Sequence, residues 1–339
     1  MSNIDAFAGM VIDEIKAQTS DDFNFKYANY AIQEVTKFDN VKYTGLVIQF
    51  PGETTSPIFP LNDYFTDMLV GEMSVEKVAS SIIQSRRILS NPDFSASKTM
   101  LTTYDRIRSN LAVRLTDSAC ADSINPDFVQ LAQGDFTATY CAAYREDGND
   151  YCMPITKKML EFFNVDPNTL HQDALSNMKD QGFELTTIMD QIMTFGNAAA
   201  HNYIEKDGNI SSSIMDQEEM PVFVLSNTDK RYGASAILQD DLMGKITEML
   251  GDVYIIPSST DEVLVIPEHF NGQPGLDPKV LQDMLVEVNG TDNVPPDKFL
   301  SNRLFAYEKS GTAPILASSY MEKQQGMEMK ADTLSAPRL

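Results

Sequence analysis

Apolar residues keep a helical spacing from the start of the chain. Ile4, Phe7, Ala8, Val11, Ile12 and Ile15 fall at i, i+3, i+4, i+7, i+8 and i+11, a single stripe along one helix face. The rhythm then shortens. Residues 30–38 (YAIQEVTKF) and 41–50 (VKYTGLVIQF) are rich in β-branched and aromatic side chains, which predicts two strands. Asp39-Asn40 between them suits a tight hairpin, because both residues tolerate left-handed dihedrals. Pro51-Gly52 stops the second strand, and Pro57-Ile58-Phe59 offers a short return. Ser74 then caps a longer helix whose buried face carries Val75, Val78, Ala79, Ile82, Ile83 and Leu89.

The middle of the chain mixes the two periods. Asn110 to Leu115 reads as a strand, as does the alternating stretch 135–146, and Glu146 to Asp150 makes an acidic turn around Gly148. Thr156 caps a helix bearing Met159, Leu160 and Phe163. Asp166-Pro167 is an N-cap followed by proline at the first helical position, where the missing N–H costs nothing. A third helix is expected over Leu185 to Phe195, and a long polar loop over about 196–220.

The last third has the clearest order. Pro221 opens the strand VFVLS, Asn227 to Tyr232 turns, and GASAIL (233–238) is expected to return as a second strand. Leu242, Met243, Ile246, Met249 and Leu250 mark a helix that ends at Gly251. VYIIP and EVLVIP follow as strands. Asp277-Pro278 starts a helix with Leu281, Met284, Leu285 and Val288 inward and Gly290 closing it. Met243, Met249 and Met284 are all expected in the core. The pattern is strand, strand, helix, strand, strand, helix. It implies an α+β fold, with antiparallel sheets and helices packed on one face. The regions are an N-terminal α+β region (1–125), a mostly helical middle (126–215), a C-terminal α+β module (216–310) and a polar, Met-rich tail (311–339) expected to fray.

Charge changes the picture more than composition does. The formal net charge is −23, from 49 acidic against 26 basic residues. Such a chain repels phosphate backbones, and its basic clusters (Arg86-Arg87, Arg106 with Arg108, Lys157-Lys158, Lys230-Arg231) are short. Direct nucleic-acid binding is therefore not expected. The N-terminus lacks a basic segment before an apolar run, and no window approaches 18 apolar residues, so neither a signal peptide nor a membrane span is expected. The cytoplasm is the expected location. Cys120, Cys141 and Cys152 show no CxxC spacing and are expected to be buried free thiols.

Candidate chemistry is sparse. The stretch DVYIIPSSTDEVLVIPEHF (252–270) gathers Ser258, Ser259, Thr260, Asp261 and His269. It has no nucleophile-elbow frame, and His269 stands beyond the second strand, near the far end of the hairpin, so 258–261 reads as a turn. His171, His201 and His269 make no i, i+4 pair, which argues against a zinc protease. Asp21-Asp22, Glu218-Glu219 and Asp240-Asp241 are carboxylate pairs, but Asp240-Asp241 suits a helix start and Glu218-Glu219 a solvated loop. The loop Phe270 to Gly275 lacks the lysine and preceding strand of a phosphate cradle. No catalytic residue, metal ligand or cofactor is assigned.

Several stretches carry a resemblance. They are the strand ending in Leu225-Ser226-Asn227, Gly233-Ala234, Tyr254 to Ser259, Glu262-Val263, and Val286 to Asn289 before Leu300-Ser301, with VKYTGLVIQF and YCMPITKKMLEFFNV upstream. Over residues 25–308 these resemble a bacterial family of unknown function, number 5688, with the likeness strongest after 221. Asp261 stands where that family's turn has histidine. The resemblance implies the fold and a bacterial or phage-like source, and it brings no activity. The expected function is a non-catalytic protein-binding or regulatory module with a protein partner, basic in character by charge complementarity. Two alternatives stand beside it: an acidic nucleic-acid mimic that inhibits a DNA-binding enzyme, and a carboxylate- or metal-dependent enzyme.

Overall fold

The computed structural model describes residues 3–36, 42–53, 56–88, 103–146, 149–193, 200–257, 259–290, 294–295 and 298–335. Asp39-Asn40, Leu89, Gly148, Phe195 and Ser258 lie outside them. The chain divides into two compact units, Met1–Ile107 and Arg108–Leu339.

In the first unit, α1 (Asn3–Gln18) and α3 (Val75–Ile88) pack with α2 (Asn62–Leu69) on a three-stranded antiparallel sheet. Its strands are β1 (Asn29–Thr36), β2 (Lys42–Gln49) and β3 (Ile58–Pro60), in the order β1-β2-β3. The predicted stripe is the buried one: Phe7, Val11 and Ile15 of α1 meet Val78, Ala79 and Ile82 of α3 over Leu46 and Ile48. Ser74 Oγ accepts the Lys77 amide at 3.4 Å, as its capping role requires. Arg86, read in the sequence as part of a basic cluster, points inward. Its Nε donates to Ile48 O at 2.8 Å, its guanidinium pairs with Glu53, and it lies 3.6 Å over the Phe50 ring. A buried charge persists only with such partners.

The second unit holds two larger antiparallel sheets. The first runs β4 (Leu111–Asp117), β6 (Phe136–Glu146) and β5 (Gln130–Gln133), and β7 (Asn149–Pro154) also pairs with β6. The second has the order β15-β14-β10-β11-β9-β8. Its strands are β8 (Phe183–Thr187), β9 (Phe223–Asn227), β10 (Val253–Ile256), β11 (Glu262–Pro267), β14 (Phe305–Tyr307) and β15 (Ile315–Leu316). Between β11 and β14, β12 (His269–Phe270) and β13 (Gln273–Pro274) form a small hairpin. Phe136 stacks on Phe305 with centroids 4.3 Å apart, which joins the two sheets.

Helices α4 (Lys157–Phe163) and α5 (Pro167–Gln181) start at the predicted caps Thr156 and Asp166, and α6 (Ile188–Met193) and α7 (Asp240–Leu250) follow along the chain. Helices α8 (Pro278–Asn289) and α9 (Ala317–Ser335) contribute Leu281, Leu285, Ala317 and Tyr320 to a core with Tyr254, Ile256, Ile266 and Leu304.

Several expectations are corrected. GASAIL is a buried 3-10 turn (Gly233–Leu238), because its small residues tuck under β9 and β11 where a full strand would not fit. Residues 183–187 form a strand paired with β9, and the helix begins at Ile188, running Ile188–Met193 among the described residues; Gly182 at φ +91° ends α5 and releases an alternating FELTT. The polar loop is packed from residue 200 onward, with Tyr203 and Ile214 buried and an Ile204–Ile210 bridge. Against the expected fraying, β15 joins the sheet and α9 begins with Ala317 and Tyr320 buried against it. Met243 is buried, Met249 is half-buried and Met284 is exposed, so one of the three predicted core methionines is fully inside.

Candidate functional site

The turn after β10 joins antiparallel strands in the register Ile256↔Leu264, so the polar residues do reverse the chain. They also tie three loops together. The Asp261 amide donates to Ser259 Oγ at 3.1 Å, and the Thr260 amide donates to Lys298 O at 2.8 Å. Asp261 Oδ1 accepts the Tyr232 amide at 3.1 Å, and Oδ2 meets Lys298 Nζ at 2.5 Å. Ser226 Oγ donates to Asp261 O at 2.7 Å. Asn227 closes the loop from both sides, donating to Arg231 O at 2.7 Å and accepting the Arg231 amide at 3.1 Å. His269 takes no part. It is exposed on β12, at the Val253↔Pro267 end of the hairpin, with Nδ1 3.6 Å from Glu268. Among the described residues of the stretch, Ser259 and Asp261 do not converge with His269.

The other histidines are separate too. His171 is buried, and its Nδ1 shares a 2.8 Å hydrogen bond with the Tyr140 hydroxyl. Burial holds its pKa below the usual histidine value. His201 is exposed, edge-on to the Tyr203 ring. Asp22 caps a helical turn and pairs with Arg87 at 3.1 Å. Asp240 and Asp241 occupy the first turn of α7, and Glu218-Glu219 are exposed in a loop. Among the described residues no three His, Cys, Asp or Glu side chains gather as a metal site.

An open cleft of about 800 Å³ lies between the end of α5, the 202–208 loop and α7. Two of its four carboxylates, Asp241 and Asp207, are committed. Asp241 pairs with Lys179 at 2.9 Å, and Asp207 accepts the Asn209 amide at 3.0 Å. The Lys179 hydrogen bond holds Asp241 below the usual carboxylate range, and the Asn209 amide does the same for Asp207. Neither is a proton donor at neutral pH.

Two features were not assigned from sequence. The first is a thiol pair. Cys141 is buried, whereas Cys120 and Cys152 are exposed, which corrects the expectation of three buried thiols. The β6–β7 register places Cys152 opposite Ala143 and Cys141 opposite Pro154, so the two cysteines share a sheet face one step apart on the diagonal. The two thiols lie close enough to act on each other's ionisation, with the Tyr232 hydroxyl and the Arg114 guanidinium beside them. Interaction with the Cys141 thiol leads in lowering the Cys152 pKa below the usual thiol value. The same interaction and complete burial push Cys141 well above it. The available signal was a hairpin centred on Asp147-Gly148, which fixes both cysteines on one parity.

The second is the outer face of α8. Val280, Asp283, Met284 and Glu287 stand exposed at i, i+3, i+4 and i+7, with Val280 47% and Met284 48% accessible. The inner face is anchored: Leu281 and Leu285 are buried, Gln282 donates to Asn302 O at 2.7 Å, and Asn289 donates to Ser301 O at 2.9 Å. No helix among the described residues is long and apolar enough to cross a membrane.

These observations define a class: an α+β protein of antiparallel sheets, whose polar clusters brace turns and seat helices. The chain belongs to the family of unknown function DUF5688, whose sequence profile matches residues 4–309. No curated protein and no solved structure matches it. The matched range takes in α1, which the sequence resemblance did not use.

Proposed function

We propose that the chain is a binding module that recognises a basic segment of another protein through the outer face of α8. The observation that carries this reading is the apolar pair Val280 and Met284 exposed between Asp283 and Glu287 on a helix whose other face is fixed. Methionine adapts to varied apolar partners, and the flanking acids select lysine or arginine. The net charge of −23 steers such a partner inward from a distance. Leu276, 42% accessible just before the helix, extends the apolar row.

The test is titration of the full chain with a synthetic amphipathic peptide of leucine and lysine faces, read by fluorescence anisotropy. Tight binding at low ionic strength that weakens steadily with salt is expected. The double substitution Val280→Asp and Met284→Asp should weaken it about tenfold or more, equivalent to roughly 1.4 kcal/mol. These changes add negative charge, so plain ionic attraction would strengthen. Equal or tighter binding by the variant would overturn the docking face.

A further inference from the structure

Cys152 and Cys141 have the arrangement of an attacking and a resolving thiol. Cys152 is exposed on β7, and Cys141 is wholly buried on the neighbouring β6. Their register puts both on the same sheet face, one diagonal step apart, and the two thiols lie close enough to act on each other's ionisation. Thiolate character at the exposed position is favoured by a buried S–H donor and nearby guanidinium groups; Arg114 and Arg231 both lie close enough to act on it. The surroundings are built to hold this geometry. Tyr232, whose hydroxyl meets the thiols, sits in a left-handed conformation at φ +55°, which is costly for a tyrosine. That conformation is held by the Asp261 carboxylate on its amide, by the two-way Asn227–Arg231 clasp, and by Gly233 alongside. The turn residues of the stretch that first suggested catalysis therefore brace the wall of the thiol pair.

We propose that Cys152 and Cys141 form a reversible dithiol–disulfide site that reacts with hydroperoxides. The Cys152 thiolate attacks the peroxide oxygen, the O–O bond breaks, and a sulfenic acid forms as hydroxide leaves. The Cys141 sulfur then attacks the Cys152 sulfur and displaces hydroxide, which takes up the Cys141 proton as water. Two thiols and one hydrogen peroxide become one disulfide and two waters; a dithiol reductant reverses the change. Diagonal cross-strand Cα atoms stand roughly 7–8 Å apart, slightly beyond the usual disulfide span, so closure must draw the strands together. Among the described strands β7 pairs only with β6, and it can follow. This reaction is independent of the α8 docking face.

Arg145 lies between the two cysteines, so trypsin places them on separate peptides unless a disulfide joins them. The full chain is treated with hydrogen peroxide, alkylated, digested and mapped by mass spectrometry. A linked Cys141–Cys152 peptide is expected, lost on treatment with dithiothreitol and kept in Cys120→Ser. Cys141→Ser should instead leave Cys152 as a sulfenic acid that dimedone captures. Tyr232→Phe should move the pH midpoint of Cys152 alkylation upward, a readout that a merely structural role would not shift. Oxidation that stops at Cys120, or that leaves both Cys141 and Cys152 free to alkylate in the folded wild type, would overturn the proposal.

Discussion

Single residues carry unusual weight around the 226–233 loop. At Gly233 a Cβ would sit 2.3 Å from Ser226 Oγ, 2.4 Å from Asp261 O and 2.6 Å from Asn227 N. Two of those neighbours belong to backbone and cannot swing aside. Gly233→Ala should cost about 2 kcal/mol or more, a fall in Tm of several degrees in a thermal melt, and an unchanged melt would refute the close approach. Asp117 gives a second residue-scale test. It is buried, accepts the Ser301 hydroxyl and receives a two-pronged pair from Arg303. Burial alone would raise its pKa, but the Arg303 and Ser301 hydrogen bonds outweigh burial and hold it below the usual carboxylate range. A group depressed on folding stabilises the fold at all pH above its unfolded value, about 3.9, and that contribution drains away as pH falls further. Asp117→Asn should therefore lose about 2 kcal/mol near neutrality and show a shallower loss as pH falls below about 4 in urea titrations. Parallel pH curves for wild type and variant would contradict it.

At the scale of elements, local signals succeeded wherever one face was buried and a cap marked the end. The α1 stripe, the Thr156 and Asp166 caps and the Gly251 stop were all readable, because each is decided by neighbours within a few residues. GASAIL and FELTT were misread for the opposite reason. Runs of five or six residues are too short for spacing to decide between helix and strand, so their state is set by what packs on them. The tail teaches the same lesson. Its polar composition suggested fraying, yet Tyr320 is buried, and its hydroxyl lies 2.8 Å from both Asp252 and Glu268. One hydroxyl proton serves two carboxylates, which pulls the start of α9 onto the sheet. Tyr320→Phe should cost about 1–2 kcal/mol and raise amide exchange through Ala317–Met321 more than in α7. Exchange that is unaltered in that segment would show that the apolar contacts of Tyr320 alone seat the helix.

For the whole molecule, the charge of −23 is the property that reaches furthest. Several lysines are spent on local pairs, among them Lys179–Asp241, Lys298–Asp261 and Lys323–Glu308. What remains facing solvent is mostly acid. Salt should then act in two directions, easing self-repulsion within the fold while weakening capture of a basic partner. The peptide titration separates them, since a binding loss with rising salt cannot come from a fold that salt stabilises.

The sequence by itself determined the α+β class, the main helices and strands, the turn at 258–261 and the family, because these rest on short-range spacing, caps and turn chemistry. Only the tertiary structure decided that Arg86 lies inside, that Cys152 is exposed beside a buried Cys141, that the tail packs, and that Met284 faces water. Arg86 and the tail depend on burial partners dozens of residues away in the chain, and the exposure of Cys152 and Met284 depends on what the rest of the fold leaves uncovered; neither leaves a trace in local periodicity.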